Sequence, residues 1–155
     1  MQVIKITDGA LTSADIPNTL ESLQEIVGGY IEPIFTVPSP YENGSITGYV
    51  NEDGIAEQLP LTIGIVHQFE SGKRDQYHTA PVFGNLVITA VTDDGGSRSL
   101  TPEEMRVLTT IYVPFEGGSI FPIVEPNRQK GPFVLINGIL ALHNLNRFAQ
   151  QEVVA

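Results

Sequence analysis

Apolar positions recur along the chain at two different intervals, and the changes between them mark its elements. In "QVIKIT" (Gln2 to Thr7), Val3 and Lys5 alternate with Ile4 and Ile6, which predicts a strand buried in part on both faces. "DGALTSADIPN" breaks that rhythm, opens on the turn signal Asp8-Gly9 and reads as a loop. From Asn18 the period becomes helical. Leu20, Leu23 and Val27, with Ile26 beside them, fall on one face, whereas Glu21, Ser22 and Glu25 fall elsewhere. Asn18 stands three residues before Glu21, the spacing of a capping box with Asn in place of Ser or Thr. Gly28-Gly29 can end the helix in a left-handed turn, and Tyr30 onward is extended, with Pro33 resisting further helix.

Beyond the loop "VPSPYENGS", "ITGYVNEDG" (Ile46 to Gly54) predicts a strand entering a tight turn. In "IAEQLPLTIGIVHQFE" Pro60 and Gly64 interrupt any long helix, leaving a loop with one or two helical turns, and "SGKRDQYHTAPVF" reads as polar and exposed. "GNLVITAVTDDGG" is the clearest strand, β-branched and closed by Asp93-Asp94-Gly95-Gly96. "LTPEEMRVLTTIY" is the clearest second helix: Thr101 caps it, Pro102 suits its first position, Glu104 completes a capping box, and Met105, Leu108 and Ile111 or Tyr112 face inward. "VPFEGGSIFPIVEPNRQKGP" is punctuated by Pro and Gly and reads as loop with short extended pieces. In "FVLINGILAL", Asn137-Gly138 between two apolar runs is a hairpin cue, with a helix across the segment as the competing reading. "HNLNRFAQQEVVA" predicts a short helix with Leu145, Phe148 and Ala149 inward. These elements predict a single α+β domain over residues 1–155, with a mixed or mainly antiparallel sheet packed by two or three helices.

Composition narrows the class. Hydrophobic residues make up 41% and charged residues 17%, which argues against a disordered chain. With no cysteine there is no disulfide, thiolate metal site or cysteine nucleophile. No secretory signal and no membrane-length apolar run is read, so a cytoplasmic protein without a membrane partner is expected. Eighteen Asp and Glu against eight Lys and Arg leave a net charge of −10, which disfavours direct nucleic-acid binding and leaves mimicry of a phosphate backbone as a lesser reading.

Candidate chemistry is sparse. His67, His78 and His143 are dispersed and form no HExxH or HxH pair, so they read as structural or exposed and no metal site is expected. "NEDG" lacks the alternating acidic ligands and closing Glu of a calcium loop. Around Gly72-Lys73, a phosphate loop fails twice: His67 occupies the first glycine position, and Arg74 follows the lysine where Ser or Thr is required. What remains is a set of cations and rings, Lys73, Arg74, Tyr77 and His78, joined by a second basic pair, Arg128 and Lys130. Together these six are the candidate ligand-binding residues for an anionic, aromatic molecule. An ordinary solvated loop is the competing reading. No nucleophile elbow, dinucleotide fingerprint or acid–base pair stands out, so a non-enzymatic protein without a cofactor is the expectation.

"LESLQEIVGGYIE", then "VNEDGIAEQLPL", then "GNLVITAV" resemble, in that order, a family called domain of unknown function 3846, found in phages, plasmids and Gram-positive bacteria. The resemblance runs from about Gln2 to Tyr112, and residues 113–155 form a C-terminal extension. Relatives often continue the Leu-Pro element with Asn-Arg, where this chain has Leu61-Thr62-Ile63 after Pro60. The family brings no catalytic residues to transfer. The resemblance implies a mobile-element accessory protein that counters host defence. It would do so by sequestering a nucleotide-like signalling molecule, as a homo-oligomer, or by blocking a host defence protein as an acidic inhibitor or DNA mimic. A nucleotide hydrolase is the third reading.

Overall fold

The computed structural model describes the backbone of residues 1–68, 77–124 and 130–153, and side chains over 1–67, 79–115 and 136–150. Its first element, β1 (Gln2–Thr7), turns through Asp8 and Gly9, at φ 52° and 82°, into β2 (Ala10–Asp15). Two successive positive φ angles make the two-residue turn whose twist suits a hairpin, so the Asp-Gly signal is right. The loop expected after it is instead a strand. "ALTSAD" is short and mostly exposed, which hides it from a hydrophobic pattern, and pairing with β1 decides its conformation.

Helix α1 (Leu20–Val27) is capped one residue later than Asn18. Thr19 Oγ1 accepts from Ser22 N at 3.2 Å, while Asn18 Nδ2 donates to the Ser97 carbonyl. Leu23 and Val27 are buried, but Leu20 at the first turn is 53% exposed. Gly28, at φ 79°, ends the helix as expected and leads to β3 (Ile31–Pro38). β4 (Ser45–Asn51) enters the anticipated turn. β5 (Leu61–Gln68) then replaces the predicted helical turns, and β6 (Tyr77–Phe83) replaces part of the predicted exposed loop. Both belong to one sheet, and their alternate residues Ile63, Ile65 and Val82 are fully buried.

β7 (Leu86–Val91) is the apolar strand foreseen, with the two-residue β8 (Ser97–Arg98) beside it. α2 (Pro102–Ile111) carries the complete capping box: Glu104 N donates to Thr101 Oγ1 at 3.1 Å, and Thr101 N donates to Glu104 Oε1 at 2.8 Å. Residues past it form two long strands, β9 (Tyr112–Val124) and β10 (Lys130–Ala141), where loop with short extended pieces and then a hairpin or helix were expected. Asn137-Gly138 is not a hairpin turn. It sits inside β10 at a register shift, where the Tyr112 ring of β9 packs so closely over Gly138 that a Cβ would collide with its hydroxyl. The local cue signalled a backbone irregularity, and tertiary packing turned it into a bulge. One 3-10 turn (Leu142–Asn144) leads into α3 (Leu145–Val153), which buries Leu145 and Ala149 with Phe148 partly covered.

The strands form two sheets. The first has the order β2-β1-β7-β4-β3, with β8 alongside β7, and the second the order β6-β5-β10-β9. Among the described residues all pairings are antiparallel except β5 with β10. Ile4, Ile6, Ile46 and Ile88 of the first sheet, Ile63, Ile65 and Leu140 of the second, and Val107 and Leu108 of α2 share one core. α1 covers the other face of the first sheet through Leu23 and Val27 on Val3 and Val87. The result is an α+β fold with mainly antiparallel sheets and three α-helices among the described residues. No helix among them is long and apolar enough to cross a membrane.

Candidate functional site

The hairpin of β5 and β6 places His67 directly opposite His78, and Gln68 opposite Tyr77. β10 runs parallel to β5 with Ala141 beside Val66, so its C-terminal end reaches the same end of the sheet. There the 3-10 turn brings His143 against Val66, whose backbone shares a hydrogen bond with the imidazole. Burial pushes His143 below its ordinary pKa, and that hydrogen bond acts the other way. The His67 ring meets Phe35 edge-on, with centroids 6.4 Å apart and planes at 65°. Three histidines far apart in sequence thus converge at one end of the second sheet, where Tyr77 also lies. The signal available in advance was the alternation of Ile63, Ile65 and His67, a strand period broken up by Pro60 and Gly64.

Of the six candidate ligand-binding residues, Tyr77 and His78 begin β6, and Lys130 begins β10. Lys73, Arg74 and Arg128 lie outside the described residues. The register separates the two groups. Lys130 precedes Ile139 by nine positions, and Ile139 pairs with Gly64. At roughly 3.3 Å per residue, Lys130 therefore stands about 30 Å before that pair along the strand. Tyr77, opposite Gln68, lies beyond the pair in the other direction. Within one chain, Tyr77 and His78 share an end of the sheet and Lys130 occupies the opposite end.

Among the described residues, clefts open on the first sheet and its surroundings. One, of about 420 Å³, has Ile34, Val50 and Phe83 among its walls and Glu32, Glu52 and Asp53 around them, so its charge repels anions. A second, of about 390 Å³, sets Lys5 and Glu25 beside Asn85, whose amide donates to the Ile26 carbonyl at 2.9 Å. A third, of about 440 Å³, separates β2 from α2. Among the described residues no group of three or more His, Asp or Glu is placed to hold a metal ion.

Among the described residues, the most extensively bonded charge is structural. Glu104 is fully buried and accepts from Arg98 Nη1 at 2.7 Å, Arg98 Nη2 at 3.0 Å and Ser39 Oγ at 2.6 Å, besides its capping bond. Burial is the largest single influence on its carboxyl and opposes ionisation. The donors from Arg98, Ser39 and Thr101 together outweigh it and hold the pKa below the ordinary value. Each donor comes from a different segment, so this carboxylate ties the β3–β4 loop, β8 and α2 together and offers nothing to a ligand.

No curated protein and no solved structure matches the chain. A family model matches residues 1–112, which end where β9 begins, so β9, β10 and α3 lie past the match although Leu140, Leu145 and Ala149 enter the common core. On that match over most of its length, the chain belongs to the family described as Domain of unknown function (DUF3846).

Proposed function

We propose that the protein is a non-catalytic accessory protein of a mobile element that captures a nucleotide-like anion at the histidine end of its second sheet, and so withholds a defence signal from the host cytoplasm. The observation that carries this reading is the convergence of His67, His78, Tyr77 and His143 at that end. The segment joining β5 to β6 bears Lys73 and Arg74. Imidazoles, a phenol, an ammonium and a guanidinium are the groups that recognise phosphate together with a flat base. Within one chain Lys130 begins its strand at the other end of the sheet, so a homo-oligomer that brings the second basic pair to the site is part of the proposal.

Calorimetry against a panel of cyclic and ADP-ribose-type nucleotides tests it. Stoichiometric binding is expected, weakened at least tenfold by Arg74→Ala or His78→Ala, with the nucleotide recovered unchanged after heat denaturation. No binding across the panel overturns the reading, and recovery of a cleaved product replaces it with a hydrolase. The acidic cleft of Glu32, Glu52 and Asp53 favours a second reading, an inhibitor or DNA mimic that docks on a basic host protein. A salt-sensitive complex with such a protein, lost in a Glu32→Gln, Glu52→Gln, Asp53→Asn variant, would support it.

A further inference from the structure

Among the described residues the two sheets have four edge strands longer than two residues, β2 and β3 on the first and β6 and β9 on the second, with the two-residue β8 a further short edge. Three of them carry proline, namely Pro33 and Pro38 in β3, Pro81 in β6, and Pro114 and Pro122 in β9. Proline withholds a backbone donor and blunts an edge against further pairing. β2, "ALTSAD", has none, and no Lys or Arg either. Among the described residues no strand pairs with its outer side.

Which of its groups face outward follows from the ladder. Ile16 N donates to the Met1 carbonyl at 2.9 Å, so the hydrogen-bonded positions facing β1 are the even ones: Ala10, Thr12, Ala14 and Ile16. Leu11, Ser13 and Asp15 then present N–H and C=O to the open edge. Leu11 pairs with Ile6 and Ser13 with Ile4, and both isoleucines belong to the core face on which α2 packs. Leu11 and Ser13 therefore offer outward backbone and also border the 440 Å³ cleft against Met105 and Thr109 of α2. Its described lining includes no carboxylate, in a chain that has eighteen, and its one charged side chain, Arg106, is already engaged in an interaction of its own.

We propose that this groove takes an extended, uncharged segment of a partner polypeptide, added to the first sheet as a further strand beside β2, with alternate apolar side chains entering between Leu11 and α2. Main-chain bonds to Leu11 and Ser13 supply affinity, and the cleft reads every second side chain. A second copy fits less well, because each copy brings a net charge of −10 to an edge-to-edge contact. The inference concerns a different part of the fold from the nucleotide reading and does not depend on it.

A display library of random heptapeptides, followed by synthesis of terminally blocked winners, provides the probe. Selected peptides should show apolar residues at alternate positions, and their addition should slow hydrogen exchange at the Leu11 and Ser13 amides. Ser13→Pro removes an outward donor without breaking a β1–β2 bond, so the fold should persist while affinity falls at least tenfold. Thr109→Arg, which fills the cleft from an exposed helical position, should do the same and keeps the test decisive if the proline variant folds poorly. The proposal is overturned by a library that yields no binder, by binders that leave both amides unprotected, or by binding that survives Thr109→Arg. Sedimentation showing a dimer that Ser13→Pro dissolves would also overturn it, by making a second copy the occupant.

Discussion

Replacing Glu104 with Gln keeps the shape of the side chain and a group able to close the capping box, but removes the negative charge beside Arg98. The wild-type carboxylate is fully buried and accepts four hydrogen bonds, two of them from one guanidinium. Breaking a buried ion pair by removing one partner costs about 3–5 kcal/mol, because the remaining charge stays desolvated. The Arg98 side chain keeps 23% of its exposure and some hydration. The low end, about 3 kcal/mol, is therefore expected. For a chain of this size that corresponds to a fall in melting temperature of roughly 6–12 °C. The pH dependence is a sharper test. Glu104 has a folded-state pKa below its unfolded one, so its contribution is complete above the unfolded value of about 4.3 and is lost as the pH falls through the folded value. Urea unfolding of both proteins at neutral pH and in a series down to about pH 3 should show a gap that is widest at neutrality and closes only on acidification. A variant as stable as wild type at pH 7, or a gap that does not shrink in acid, would refute the reasoning.

Three further outcomes are expected. Leu23→Asp places a carboxylate where a 5% exposed leucine meets Val3 and Val87, and should abolish cooperative thermal unfolding; a retained melting temperature would mean that α1 does not cover the sheet. Gly48 pairs across strands with Phe35, whose ring occupies the space a Cβ would need, so Gly48→Ala should destabilise by about 1–3 kcal/mol in urea titrations, and near-UV circular dichroism should report a displaced aromatic ring. Tyr112→Phe removes the buried bond from its hydroxyl to the Gly9 carbonyl and should cost about 1–2 kcal/mol by chemical denaturation, with the slope of the transition unchanged.

Much of the local design was legible. The caps and faces of α2, the left-handed stop at Gly28 and the Asp8-Gly9 turn each depend on residues within a few positions of one another. The apolar run of β7 was equally plain, since a strand covered on both faces needs no polar alternation. Errors clustered where the deciding contacts are remote. β5 was obscured by Pro60 and Gly64, and Asn137-Gly138 mimicked a turn. The long β9 and β10 were disguised by Pro and Gly, which at Pro114 and Gly138 face each other across a bulged register.

The candidate site divides along the same line. From residue types alone, the chain is an acidic α+β protein of the DUF3846 family. Tertiary structure alone decided that three scattered histidines share one end of a sheet, that Lys130 lies at the other end, and that β2 is an edge strand. The reason is one of range. Capping, turn chemistry and helical period act over a handful of neighbours, whereas strand order and register are set by which distant segments bury one another's apolar faces.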